Sequence, residues 1–68
     1  MSTRYQFVVD GELSERALAA FPELSTAPAR QGMTVLFGAV AGPTAMRGIL
    51  ARIDNLGLTL VEMRQLPN

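Results

Sequence analysis

Hydrophobic residues recur along this chain with two different periods, one typical of strands and the other typical of helices. Tyr5, Phe7 and Val9 alternate with Gln6 and Val8, which predicts a strand over residues 5–10. The same reasoning predicts strands over residues 33–40 and 58–66. Residues 24–30 are extended in character but contain Pro28, whose nitrogen cannot donate to a ladder, so this segment is predicted to be an edge strand.

Two segments between these strands carry helix signals. The first helix is predicted over residues 15–21, with Ser14 as its N-cap and Pro22 at its end. The second follows Pro43, a residue favoured at the first helical position, and ends at Gly57, a natural C′ residue. One face of the second helix is predicted to be apolar and to carry Met46, Ile49, Leu50, Ile53 and Leu56.

The resulting element order is β-α-β-β-α-β, and two crossovers that share one sheet give a ferredoxin-like sandwich of the α+β type. We expect one domain over residues 1–68, with a four-stranded antiparallel sheet in the strand order 4-1-3-2 and both helices on one face. This order places the Pro28 strand at an edge, where proline is tolerated.

The helices leave one face of the sheet uncovered, and we call it the open face. Alternation predicts that Tyr5, Phe7, Val9, Val35, Phe37, Leu58 and Leu60 point towards the helices. The residues predicted on the open face are Gln6, Val8, Thr34, Leu36, Thr59, Val61 and Met63. Contiguous apolar surface on a small domain marks an interaction site. We therefore predict an interface at Val8, Leu36, Val61 and Met63. The alternatives are assembly through the edge of the last strand, or scattered exposed aliphatics combined with a register error of one residue.

Chain length gives a second reason to expect assembly. The chain has 68 residues, of which 49% are hydrophobic, and it has no Cys. A core of this size rarely supplies more than about 3–5 kcal/mol, and disulfides are excluded. A homo-oligomer or a partner protein would bury further apolar surface, although many domains of this length fold alone.

Composition also weakens most catalytic hypotheses. The chain has no His and no Lys, and its six Arg balance six acidic residues. Glu12 and Glu15 flank a helix start, where acids favour the helix dipole, and Ser14 has no general base. We expect no catalytic residue, no metal site and no cofactor. Neutral charge and an open face without aromatic residues argue against nucleic-acid binding.

No apolar run approaches the ~20 residues that cross a bilayer, and the first residues lack the layout of a signal peptide. We therefore expect a cytoplasmic protein with no membrane partner.

Several motifs resemble those of a group of short, uncharacterised bacterial proteins. The opening Arg4-Tyr5 with Val9-Asp10-Gly11, the strand at residues 32–40 and the helix end at residues 48–58 resemble that group's R-Y-x-x-x-V-x-G, G-x-T-x-L-x-G-x-V and G-L-L-x-x-I/V-x-x-L-G-L patterns. The resemblance implies the split β-α-β fold and no particular activity.

The hairpin, second helix and last strand are also similar to BON domains, a family associated with membrane or phospholipid binding. This chain departs from that family in having a strand before its first helix and in lacking the layout of a signal peptide. The topology and the Gly42-Pro43 helix start are shared with acylphosphatases. Residues 12–15 are acidic in character and do not match the phosphate loop of that family.

These observations predict a non-catalytic binding or assembly module that acts through the open face as a homo-oligomer or an accessory subunit. The alternative is an ACT-like sensor, in which a small-molecule ligand binds where subunits meet.

Overall fold

The structure is a computed structural model that describes residues 2–29 and 31–67. Its elements follow the predicted order. In chain order they are β1 (Thr3–Asp10), α1 (Glu15–Leu18), β2 (Ser25–Pro28), β3 (Met33–Val40), α2 (Pro43–Asn55) and β4 (Thr59–Gln65). Arg30, the last residue of the predicted second strand, lies outside the described residues.

The four strands form one sheet in the order β2-β3-β1-β4, and every neighbouring pair is antiparallel. From the other edge, this is the predicted order 4-1-3-2. The strand that contains Pro28 is therefore at an edge, the position in a sheet where proline is tolerated. The α+β class, with an antiparallel four-stranded sheet and two helices, is confirmed.

Helix α1 is shorter than predicted. Ser14 is its N-cap, and the Ser14 hydroxyl accepts a hydrogen bond from the Ala17 N–H at 3.1 Å. Beyond Leu18 the bonding tightens, because the Ala20 N–H reaches the Ala17 carbonyl and the Phe21 N–H reaches the Leu18 carbonyl. These i→i−3 bonds carry the chain in a tight turn towards Pro22, which cannot continue a helix.

Helix α2 ends as the sequence predicts. Gly57 has a φ of 74°, and its N–H donates to the Asp54 carbonyl, while the Leu58 N–H donates to the Ile53 carbonyl. These two bonds form a Schellman motif, which satisfies carbonyls that would otherwise lack partners. The motif turns the chain directly into β4.

The core lies between the sheet and both helices. Its fully buried apolar residues come from β1, β3, α2 and the turn after α1, and the partly buried Leu18 of α1 packs against them. They are Phe7, Val9, Phe21, Leu36, Val40, Ile49 and Ile53. Both helices therefore pack against the same face of the sheet, the face that carries Phe7 and Leu36.

The predicted facing of β3 is wrong by one residue. Leu36 is only 1% exposed and pairs with Phe7, and Thr34 is also buried. Val35 and Phe37 therefore point to the open face. Thr34 tolerates burial because its hydroxyl donates to the Gly11 carbonyl at 2.8 Å and accepts from the Leu13 N–H at 3.3 Å.

The predicted facing of β4 is wrong at Met63. A bulge lies between the Val9–Leu60 and Val8–Glu62 pairs, so Val61 is an extra residue on this strand. Beyond the bulge the alternation shifts, and Met63 pairs with Phe7 on the side of the helices. Leu60 also lies on that side, as predicted, but remains 36% exposed because α2 covers β4 only in part.

Candidate functional site

The open face consists of rows of residues that are paired directly across neighbouring strands. Paired residues have their side chains on the same face, so the rows follow from the register. Four rows cross the face from one end of β1 to the other. They are Ala39 and Arg4; then Ser25, Phe37, Gln6 and Arg64; then Ala27, Val35, Val8 and Glu62; and finally Met33, Asp10 and Thr59.

A shallow hollow of about 340 Å³ lies across the centre of this face. It crosses the sheet from the turn after β2 to the bulge of β4. Its lining residues are Val8, Ala29, Met33, Val35, Val61 and Glu62. Phe37 lies one row further along β3. Val61 is 51% exposed, the largest exposed fraction among the exposed large hydrophobic residues. The centre of the open face is thus apolar, with Glu62 at its margin.

Two of the four predicted interface residues lie on this surface. Val8 and Val61 line the hollow together. Leu36 lies in the core instead, and Met63 lies on the side of the helices at 42% exposure. The structure therefore separates the four residues into two pairs on opposite faces of the sheet.

Sequence reasoning missed three residues of the open face, Met33, Val35 and Phe37. Both alternating sets of β3 are largely apolar, so alternation alone does not determine which set faces the helices. Gly38 was the available signal. An added Cβ at Gly38 would lie 3.2 Å from both the Glu23 carbonyl oxygen and Leu24 Cδ2, so the set that includes Gly38 faces the covered side.

The charged residues of the open face are separated by sign. Arg4 and Arg64 lie in the two rows at one end, and Glu62 and Asp10 lie in the two rows at the other. All four side chains are exposed. Within residues 2–29 and 31–67 no ion pair involves them. The face therefore has a basic end, an apolar centre and an acidic end.

The ion pair within the described chain lies away from this face. Arg52 of α2 binds Glu23 through both guanidinium Nη atoms, and its guanidinium carbon lies 5.2 Å from the ring centroid of Phe21. The hydrogen bond from Arg52, opposed by a small burial effect, holds the pKa of Glu23 below its ordinary value. The same bond raises the pKa of Arg52. This contact holds the turn after α1 against α2.

Two polar side chains considered for chemistry fill structural roles. Ser14 caps α1, and Tyr5 packs against the core beside Phe7. In the part of the chain that the structure describes, no cluster of three acidic, His or Cys residues could hold a metal ion. Among the same residues, no helix combines the length and apolarity needed to cross a membrane.

Comparison with known proteins places the chain in a family. No curated protein and no solved structure matches it. One family model matches residues 4–64, which include both helices, β2 and β3 in full, and all but one residue each of β1 and β4. The chain belongs to that family, described as a domain of unknown function (DUF8691).

Proposed function

We propose that the protein is a non-catalytic assembly module, and that the open face is the surface through which it binds another protein chain. The observation that carries this proposal is the apolar centre of that face. The solvent-facing residues of an antiparallel sheet are normally polar. Here the open face instead carries a contiguous apolar patch formed by Met33, Val35, Phe37, Val8 and Val61. Apolar patches of this kind on small domains mark interaction sites.

The small core supports the same proposal. Among residues 2–29 and 31–67, seven apolar residues form its fully buried part, and every residue of β4 is exposed. A domain of this length has little stability to spare, and a partner that covers the open face adds buried apolar area without a longer chain. We further propose that the fold is a ferredoxin-like sandwich with a shortened first helix, and that the protein acts in the cytoplasm.

Methionine oxidation by dilute peroxide tests whether the open face is covered. Met33 lies on the open face and Met63 on the other side of the sheet, so Met63 serves as an internal control. Oxidation of both is measured by mass spectrometry in dilute purified protein, in concentrated protein and in intact cells. We expect the oxidation of Met33, relative to that of Met63, to be slower in concentrated protein or in cells than in dilute protein.

If the ratio of the two rates is the same under all three conditions, the open face has no partner and the proposed function is wrong. The comparison is independent of the absolute exposure of either methionine, because the dilute protein supplies the baseline.

A further inference from the structure

We propose that the partner of the open face is a second copy of this chain, packed face to face with its strands antiparallel to those of the first. This inference rests on the proposed function and specifies its partner. It is carried by the separation of charge on the open face, where the basic and acidic residues occupy opposite ends. A surface with this pattern is complementary to itself after one particular rotation.

Two orientations of a twofold axis bring two such faces together. An axis parallel to the strands would place basic end on basic end and acidic end on acidic end. An axis across the strands reverses the second copy, so that each basic end meets an acidic end. Like charges that face each other at an interface are unfavourable, so the charge pattern selects the second orientation.

The register fixes the position of this axis. Four rows cross the face, so the axis passes between the Gln6 row and the Val8 row. Arg4 of each copy then faces Asp10 of the other, and Arg64 faces Glu62. Each pair occurs twice, because contacts in a twofold interface are reciprocal.

The apolar side chains of β3 fit the same axis. Phe37 faces Val35 of the second copy, and Ala39 faces Met33, so each larger side chain meets a smaller one. On β2, Ser25 faces Ala27, and both are small. Two sheets that pack about 10 Å apart need such alternation to interdigitate.

The size of the face predicts a weak dimer. Strands β1 and β3 have eight residues each, β4 has seven and β2 has four, so at about 4.8 Å between strands and about 3.3 Å per residue the face covers roughly 430 Å² per copy. The pair would bury roughly 860 Å², which is below the about 1,000 Å² of a stable specific interface and is typical of a weak, transient one. We therefore expect self-association that depends on protein concentration and weakens as salt is added.

The edge of β4 is the competing surface. It is seven residues long and exposed, but the bulge at Val61 interrupts its regular spacing, and bulges on edge strands disfavour pairing with another chain. An edge dimer could also bring Glu62 near Arg64 of the second copy. Arg4 and Asp10 lie on β1, in the interior of the sheet, so only a face-to-face dimer places them in contact with the second copy.

Charge reversal at these two β1 positions tests the proposal by analytical ultracentrifugation of the full chain. Arg4 and Asp10 lie about 20 Å apart on one strand, so they interact little within a single copy. Arg4→Asp alone and Asp10→Arg alone each create two like-charge contacts, and each is expected to weaken self-association about tenfold or more. The double variant, Arg4→Asp with Asp10→Arg, restores both contacts and is expected to recover the original affinity.

Arg47→Asp is the matched control, because Arg47 is exposed on α2 away from the open face. Thermal melting of each variant establishes that it is folded. The proposal is overturned if the protein is strictly monomeric at high concentration, if the single reversals leave self-association unchanged, or if the double variant fails to recover. If the single reversals leave self-association unchanged but Met33 is selectively protected from oxidation, the proposed assembly function stands and this dimer is rejected. An unprotected Met33 would reject both.

Discussion

On the covered face of the sheet, the Thr34 hydroxyl donates a hydrogen bond of 2.8 Å to the Gly11 carbonyl oxygen. The same hydroxyl accepts from the Leu13 N–H at 3.3 Å, so one buried side chain fastens the loop between β1 and α1. This contact explains why a polar residue occupies the covered face of β3.

Replacement of Thr34 tests the value of this contact. Thr34→Val keeps the shape but leaves the Leu13 N–H and the Gly11 carbonyl without this partner, so we expect a loss of about 1–2 kcal/mol of unfolding free energy. Thr34→Ser keeps the hydroxyl and loses only a methyl group. Urea denaturation should therefore show a smaller loss for Thr34→Ser than for Thr34→Val. Equal stability of Thr34→Val and the natural protein would contradict the assigned role.

The elements were predictable from the sequence because their signals are local. Alternation in β1, the Ser14 cap and the Gly57 end of α2 each depend on residues within a few positions of one another. The strand order also followed, since two crossovers in one sheet permit few arrangements. The facing of β3 was not predictable from alternation, because Thr34 is buried through bonds to residues more than 20 positions away.

The candidate site was predictable only in part for the same reason. Val8 was assigned correctly because β1 alternates clearly, but the bulge at Val61 shifts the later residues of β4. No local signal marks that bulge in the sequence. The separation of charge on the open face depends on the bulge, which brings Glu62 and Arg64 to the face that carries Arg4 and Asp10.

Arg52 links α2 to the turn after α1 through several contacts. Its Nη1 donates to the Ala20 carbonyl at 2.6 Å and to Glu23 Oε1 at 2.9 Å, and the guanidinium lies over Phe21. Arg52→Ala removes all of these contacts, and we expect a loss of about 1–2 kcal/mol. For a domain of this size, each 1 kcal/mol corresponds to a fall of about 4–8 °C in Tm.

Two further variants make the Arg52 prediction specific. Arg52→Lys keeps the charge but cannot form the two-pronged contact, so it should recover only a small part of the loss. Arg47→Ala removes an exposed arginine from the same helix and should leave Tm almost unchanged. A Tm for Arg52→Lys equal to that of the natural protein would show that charge alone accounts for the contact.

Acid should weaken the Arg52–Glu23 contact in a defined direction. Arg52 lowers the pKa of Glu23 in the folded state, so the unfolded chain binds the proton more readily. The stabilisation is therefore fully present above the ordinary glutamate pKa and is lost as pH falls through the lowered pKa. Both side chains are partly exposed, at 33% and 42%, which limits the contribution to less than about 1 kcal/mol.

Glu23→Gln isolates this effect. The difference in unfolding free energy between Glu23→Gln and the natural protein, measured at a series of pH values, should shrink towards acid pH. Glu62→Gln in dilute protein is the matched control, because it replaces an exposed glutamate that lies outside both helices and has no ion pair within the described part of the chain. A Glu23→Gln difference that stays constant down to acid pH would exclude the ion pair as its source.

Substitution by alanine is expected to have opposite effects on stability at Gly38 and at Gly48. An added Cβ at Gly38 would lie 3.2 Å from the Glu23 carbonyl and Leu24, so Gly38→Ala should cost about 1–3 kcal/mol. At Gly48, inside α2, no described heavy atom beyond its chain neighbours and the adjacent helix backbone lies within 4 Å of the added Cβ. Gly48→Ala should therefore stabilise the protein by about 0.5–1 kcal/mol, because glycine is unfavourable in a helix interior. Chemical denaturation measures both. A stabilising Gly38→Ala would contradict the close packing at Gly38, and a destabilising Gly48→Ala would contradict the open space at Gly48.

Leu36 and Val35 are neighbours on β3 that face opposite sides of the sheet, and their truncation should therefore affect different properties. Leu36→Ala leaves a cavity in the core and should cost about 2–5 kcal/mol of unfolding free energy. Val35→Ala removes apolar area from the open face and should change the stability of the dilute protein by less than about 1 kcal/mol. In concentrated protein, Val35→Ala should weaken self-association, because Val35 lies at the apolar centre of the face. Denaturation in dilute solution and sedimentation in concentrated solution separate the two effects. A stability loss for Val35→Ala as large as that for Leu36→Ala would show that Val35 faces the helices and not the open face.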